Sequence, residues 1–252
     1  MAFLSGHRFG VLLPFASELE IAQAQVVWGR KMPQLVSKAR LYDLAVTSPL
    51  IVLFTFAVAG TAIQVIREIS GHAYSTQFAL SLGVKGLGGI FAGLQVVLFI
   101  VRKLPISKLR NWWPRILAII GANSALPFLM LPVATPTGVT NILSAVLMIG
   151  GITGSILVLS QLGRSFSITP QARGLVVSGP YRVLRHPLYL SEQFITVGMM
   201  LQYEQPWALL VCVVSVALQF PRIHYEEKVL SATFSAYGAY AKKTARLIPG
   251  IY

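Results

Sequence analysis

Between Ser178 and Gln193 the chain sets Tyr181, Arg182, Arg185, His186, Tyr189 and Glu192 into one short stretch, directly before an apolar run. Polar groups at the edge of hydrocarbon are costly, so a cluster of them there has work to do. Pro187 fixes the local geometry, because it has no N–H to offer and fits the first turn of a helix. Arg185 and His186 are therefore expected at a helix N-terminus, where free N–H groups and the helix dipole favour an anion. Such a position suits the α-carboxylate of an amino-acid-like ligand. A lone arginine here reads as a loop charge; the whole block, with Pro187 and Tyr189, reads as a site.

A second cluster, Arg222 to Glu227, follows the next apolar run. If the chain is helical from Arg222 to about Lys243, Arg222 and Glu226 are four apart and can pair, which is worth about 0.2–0.5 kcal/mol when exposed. Ile223, Leu230, Phe234, Tyr237 and Ala241 form an apolar stripe on that helix, with Glu227 standing in it between Ile223 and Leu230. A carboxylate aimed at a packed face needs donors or a cation; at the edge of the stripe it reaches solvent instead. Adjacent helical residues point about 100° apart, so the two glutamates have different work. Glu227 is expected to face Arg185 and His186, and Glu226 to hold Arg222. Tyr237 and Tyr240 are expected to pack, with their hydroxyls at the interface.

The elements that must position these groups are membrane helices. Of 252 residues, 55% are hydrophobic and 12% charged, and the mean hydropathy is +0.68, values that a water-soluble domain does not carry. Apolar runs over about Leu44–Ile66, Phe78–Val101, Ile116–Val133 and Val139–Leu162 each approach the roughly 20 residues that cross the hydrocarbon core. Leu188–Gln202 and Pro206–Phe220 are shorter and read as a helical hairpin. The expected architecture is an all-α polytopic bundle of about six apolar segments: four full spans, a short C-terminal hairpin and a cytoplasmic C-terminal helix. As domains, this is a single membrane domain over 1–252: an N-terminal segment over 1–43, four spans over 44–162, and the site region over 163–252. Ile21–Trp28 is expected as an interfacial helix.

The net charge of +13 reflects topology and not a nucleic-acid footprint, because the basic residues sit in short loops between apolar runs. With six crossings, 19 of the 21 Lys and Arg fall on one side, expected to be cytoplasmic together with both termini. Arg67 lies opposite, and Lys85 falls inside the second span, where it must snorkel, pair or line a cavity. A single cysteine, Cys212, excludes an intrachain disulfide and a cysteine metal cluster. No removable signal peptide is expected. The glycines of Gly86–Gly89, with Gly93, and the pair Gly150 and Gly154 read as close helix packing, since no strand precedes them as a nucleotide loop requires.

Gly179, Tyr181, Arg185, His186, Pro187 and Tyr189, then a hairpin, then Arg222, Glu226 and Glu227, then Tyr237, Tyr240 and Pro249, follow one another in a recognisable order. This order resembles the integral-membrane methyltransferases typified by isoprenylcysteine carboxyl methyltransferase and phosphatidylethanolamine N-methyltransferase. Their pattern is Gly-x-Tyr-x-x-x-Arg-His-Pro-x-Tyr, a hairpin, Arg-x-x-x-Glu-Glu, Tyr-x-x-Tyr and a late proline. Gly163 to Ser167 also resembles the family's approach to the loop. The likeness runs from about Leu162 to the C-terminus, and the first four spans carry no motif of their own.

The resemblance implies S-adenosylmethionine as cofactor, bound at the cytoplasmic face, and a lipidic acceptor within the membrane. It implies cofactor-binding roles for Tyr181, Arg185, His186, Pro187, Tyr189 and Glu227, and catalytic roles for Arg222 and Glu226. Arg185 and His186 would hold the cofactor's polar end, Tyr189 and the hairpin would wall its body, and Glu226 or Glu227 would take its ribose or amino group. Arg222 would orient those carboxylates or steer an anionic acceptor. No metal is required. Prenylcysteine carboxylate methylation leads, with phospholipid amine methylation as the alternative. A second resemblance is to membrane reductases of the steroid 5α-reductase type, through Tyr189 to Glu192 and the ending Leu247-Ile248-Pro249, with Ser191 where that family has glycine. A small transporter or structural membrane protein is the non-enzyme reading.

Overall fold

The computed structural model describes residues 38–71, 75–135 and 137–250, so the expected interfacial helix at Ile21–Trp28 lies outside the described residues. The chain divides into units 1–41 and 42–252; of the first, only Lys38–Leu41 is described, as the opening turn of a helix. Seven α-helices occur among the described residues: α1 Lys38–Gly71, α2 Thr76–Val101, α3 Trp113–Ala122, α4 Gly138–Leu162, α5 Pro187–Met200, α6 Trp207–Thr233 and α7 Tyr237–Lys243. Short 3-10 turns follow α3 at Leu126–Met130, follow α4 at Gly163–Ser165, and cover Gly179–Arg182. The one small sheet among them pairs β1 Ser107–Lys108 with β2 Gln171–Ala172, antiparallel.

Local chemistry sets the helix ends. Ser75 caps α2 by accepting from the Phe78 N–H at 3.1 Å, and Thr137 caps α4 by accepting from Thr140 at 3.3 Å. Gly163, at φ +50°, closes α4 in a conformation that residues with a Cβ adopt at a cost.

Four described helices are long and apolar enough to cross a membrane, in the stretches Lys38–Gly71, Thr76–Val101, Gly138–Ser165 and Trp207–Thr233. The number matches expectation, but the membership differs. The run Ile116–Val133, expected as a full span, is broken into α3 and a 3-10 turn. Asn123 and Ser124 turn their side chains back onto the carbonyls of Ile119 and Gly121, each at 2.8 Å, and Pro127 has no N–H to continue the ladder. Conversely, the second hairpin arm is not short: α6 continues through Pro221 to Thr233, roughly 40 Å at 1.5 Å per residue. The expected helix from Arg222 to Lys243 is therefore two pieces, the end of α6 and then α7, separated at Phe234, whose backbone is extended.

The chain alternates between two ends of the bundle. At one end Asp43 of α1 bonds Arg102 at 3.0 Å and Arg173 at 2.9 Å, Lys103 N–H donates to Arg164 at 2.7 Å, and β1 meets β2. At the other end Ala134 N–H donates to Gln202 at 2.9 Å, and Val133 bridges Tyr203 in the hairpin turn. Ser124 Oγ lies 2.8 Å from Ser215 Oγ, holding the broken segment along α6. Inside span α2, Lys85 pairs with Glu68 of α1 at 2.7 Å. Phe99 and Leu159, both fully buried, centre the core together with Leu98 and Phe166. The Phe99 ring lies 5.3 Å from Phe166 and 6.0 Å from Phe54 of α1.

Helices α4 and α5 touch through small residues. A Cβ on Gly151 would lie 2.7 Å from the Ser191 carbonyl, and one on Gly198 2.9 Å from the Ser144 carbonyl. Ser144 Oγ donates to the Gly198 carbonyl at 2.7 Å across the same seam. Gly154 also packs tightly, against Ser191, whereas Gly150 faces open space. Gly151→Ala must push backbone apart, at about 1–3 kcal/mol for overpacking, and Gly150→Ala meets nothing. In detergent, Gly151→Ala is expected to melt several degrees below Gly150→Ala; equal melting temperatures would refute this seam.

Candidate active site

Pro187 is the first residue of α5, and His186 immediately precedes it. The approach to α5 is held by the C-terminal tail: Ala245 N–H donates to Val183 at 3.1 Å, Arg185 N–H to Ala245 at 2.8 Å, and His186 N–H to Arg246 at 3.0 Å. These bonds lay residues 183–186 beside 245–246 and fix where Arg185 points. Its Nη1 donates to the carbonyls of Ala241 and of Thr244, the latter at 2.8 Å, at the C-terminal end of α7, where the helix dipole favours a cation. Its Nε donates to Glu227 at 2.8 Å.

Glu227 Oε1 also meets His186 Nε2 at 3.3 Å, while Oε2 meets Arg246 at 2.8 Å. Both oxygens are thus engaged by the protein. One residue earlier on α6 the direction changes, as helical geometry demands. Glu226 Oε2 accepts from the Tyr189 hydroxyl at 2.6 Å and lies 3.9 Å from His186 Nδ1. The His186 and Tyr189 rings stack at 5.4 Å, and the Arg222 guanidinium lies over the other ring neighbour, Tyr189, at 4.5 Å. That cation–π contact is worth about 2 kcal/mol when desolvated. Arg222 and Glu226 do not pair as their spacing suggests. Arg222 turns into the bundle, donating to Gln219 at 2.8 Å and Glu192 at 3.4 Å. Gly121 of α3 admits it, because a Cβ there would collide with the arginine side chain.

Two clefts meet at this cluster. One lies under the 165–176 strap and is lined by Ser165, Ser167, Thr169, Gln171, Tyr237 and Tyr240. The other runs between the spans past Phe54, Gln95, Leu188, Glu192 and Arg222. Tyr181, Arg185 and Glu226 line both. Glu226, its side chain 37% exposed, is the carboxylate that lines both clefts, Glu192 lines the cleft between the spans, and Glu227 lines neither. Burial raises the Tyr181 and Tyr237 hydroxyls far above their ordinary range and pushes Tyr240 up to about 12, so all three remain protonated donors near neutral pH. The Tyr240 hydroxyl donates to the Tyr181 carbonyl at 2.8 Å.

Seven of the eight expected site residues, Tyr181, Arg185, His186, Tyr189, Arg222, Glu226 and Glu227, converge here, with Pro187 starting the helix that carries two of them. Sequence reasoning missed Arg246, counted only as a tail charge, and Glu192 and Gln219 as partners of Arg222. It also missed the anchor of the strap. The Arg173 side chain, fully buried, bonds Asp43, the Lys103 carbonyl and Gln171, the last at 2.7 Å. Asp43 lies 130 positions away in sequence, so no local spacing signals that contact.

Residues 139–237 match a family model described as phospholipid methyltransferase. A stretch of 76 residues is 33% identical to the cobalt-zinc-cadmium resistance protein CzcN of Cupriavidus metallidurans and, at the same 33%, to the nickel-cobalt-cadmium resistance protein NccN of Alcaligenes xylosoxydans xylosoxydans. Each match covers 30% of this chain and 35% and 36%, respectively, of those proteins, so the chain spans about a third of the length of the curated relatives it matches. All eight expected site residues fall inside 139–237, and that region carries the pattern of a membrane methyltransferase family.

Proposed function

We propose that the protein transfers a methyl group from S-adenosylmethionine to a lipidic acceptor, with prenylcysteine-type carboxylate methylation as the leading reaction and phospholipid amine methylation as the alternative. The observation that carries this reading is the junction of two clefts at Tyr181, Arg185 and Glu226. One cleft lies under a polar strap near the loops and the other runs between spans, so two reactants of different polarity reach one point from two sides.

The strap cleft fits an amino-acid-like, aromatic cofactor. It offers the Arg185 cation, the Glu226 carboxylate, hydroxyl groups and three tyrosine rings, and the buried Ser167 Oγ has no hydrogen-bond partner among the described residues. When bound, S-adenosylmethionine supplies a methyl group already activated by its sulfonium for in-line displacement. The protein's part is positioning and exclusion of water. Tyr181, Arg185, His186 and Tyr189 form the wall where the clefts meet, and Glu227 sets the direction of Arg185 and His186. Arg222, held over Tyr189, orients an anionic acceptor. A carboxylate acceptor needs no base; an ammonium acceptor must lose a proton, which the free oxygen of Glu226 takes up.

The positive loops and both termini are placed in the cytoplasm by this reading, since the basic loops 102–112 and 163–186 lie at the site end of the bundle. With Cys212 replaced by serine, Lys108→Cys and Tyr252→Cys are both expected to react with an impermeant thiol reagent only from the cytoplasmic side. Reaction of the two from opposite sides would remove the proposed orientation.

Calorimetric titration is expected to show S-adenosylhomocysteine binding and no NADPH binding. NADPH binding alone would transfer the assignment to the reductase reading, which the Tyr189 to Glu192 sequence also resembles.

The two adjacent glutamates separate by variant. Glu227→Gln is expected to weaken S-adenosylhomocysteine binding by about 1.5–3 kcal/mol through Arg185 and His186. It should also lower the melting temperature, because Arg185 and Arg246 lose their carboxylate. Glu226→Gln is expected to keep the wild-type melting temperature and lose at least about tenfold in kcat. Wild-type turnover in Glu226→Gln would take Glu226 out of the reaction.

A further inference from the structure

Three residues that line the cleft between the spans carry a buried polar atom with no hydrogen-bond partner among the described residues: Ser167, which the strap cleft shares, and Gln95 and Arg222, which line this cleft alone, through the Gln95 amide oxygen and Arg222 Nε. Gln95 is 7% exposed and Arg222 4%. Buried polar atoms are nearly always paired, so the unpaired atoms of Gln95 and Arg222, on residues of this cleft alone, call for a ligand. Their chemistry constrains it. Arg222 Nε only donates and the Gln95 oxygen only accepts, so the ligand must bring an acceptor to the first and an N–H or O–H donor to the second. Gln95 is also out of place by composition, an amide within the apolar run Phe91 to Val101 of α2. An interior polar group in such a run marks a binding position. Phe54 and Leu188 give the same cleft an apolar wall.

We propose that Gln95 reads the head group of the acceptor, and that this head group carries an anion beside an N–H donor, the anion towards Arg222 and the N–H towards Gln95. The proposal rests on the methyl-transfer reading above and deepens it. Two sources share the chemistry: a lipidated C-terminal amino acid, whose carboxylate adjoins an amide N–H, and the phosphoethanolamine of a phospholipid. Gln95 lies outside residues 139–237. The segment shared with other membrane methyltransferases thus forms the junction, while a span without any motif selects the acceptor.

The test measures acceptor binding without cofactor, using the full-length protein in phosphatidylcholine nanodiscs. The probes are N-acetyl-S-farnesylcysteine and lysophosphatidylethanolamine, and S-adenosylhomocysteine binding is measured separately. Gln95→Leu keeps the size of the side chain and the apolar character of the span. It is expected to melt like the wild type and to bind S-adenosylhomocysteine within threefold of wild type, while losing at least tenfold in affinity for one probe. The probe that suffers the loss identifies the source. Should Gln95→Leu fail to fold, Gln95→Asn, which withdraws the amide by one methylene, carries the same comparison. Unchanged affinity for both probes, or binding of neither by the wild type, overturns the proposal. Gln95-dependent probe binding in a protein that does not bind S-adenosylhomocysteine would instead overturn the methyl-transfer reading and leave the acceptor site standing.

Discussion

The Glu227 carboxylate joins three parts of the chain that meet nowhere else in sequence. It takes Arg185 and His186 at the start of α5, Arg246 from the tail beyond α7, and is itself carried by α6. Side-chain exposures of 12% for Arg185 and 13% for Glu227 make this a partly buried pair in which each charge still depends on the other. Removing one partner leaves the other charge without compensation, a cost that reaches about 3–5 kcal/mol for a fully buried pair. The position of α5 relative to α6, and with it the junction of the two clefts, depends on that carboxylate. Besides Arg185, the charged groups lining the clefts are Glu192, Arg222 and Glu226.

A second ionic knot does for the loops what Glu227 does for the helices. Asp43 joins Arg102 and Arg173, so the start of α1, the end of α2 and the strap over the outer cleft are held at one point. Arg102 also stacks on the core ring of Phe99 at 5.3 Å. The strap therefore lies against the hydrophobic core and not free above it. Between the two knots the bundle is packed by removal of side chains: Gly151, Gly154 and Gly198 bring α4 and α5 close, and Gly121 makes room for Arg222. The polar site and the small-residue seam are thus parts of one design, since α5 carries Tyr189 and Glu192 on the helix that the seam positions.

How far the site was legible in sequence follows from the range of each interaction. Pro187 starts α5 because a proline ring, with no N–H to bond back, is best accommodated in the first turn of a helix, a local preference that needs no neighbours. The different directions of Glu226 and Glu227 follow from helical phase, equally local. The charge asymmetry of the loops and the lengths of the apolar runs are set by the membrane acting on each segment in turn. These are properties of short stretches.

Tertiary structure decided what depends on partners far along the chain. Arg222 and Glu226 stand at pairing distance on a helix, yet Tyr189 comes between them from α5, and Arg222 finds Gln219 and Glu192 instead. Local spacing states which groups are near enough to pair, and only the packed neighbour states which pairing has less competition. The broken run Ile116–Val133 and the extended α6 divide in the same way: both read as apolar, but Asn123, Ser124 and Pro127 end one, while Pro221 leaves the other continuous. Apolar length alone does not register where side chains turn onto the backbone. Arg173 looked like a loop charge and is the most buried cation described, because Asp43 and Lys103 approach it from two other elements. Composition and spacing thus determined a membrane bundle with a polar site at one end; burial, which no residue carries in its own sequence, decided which of those charges face the clefts and which hold the structure together.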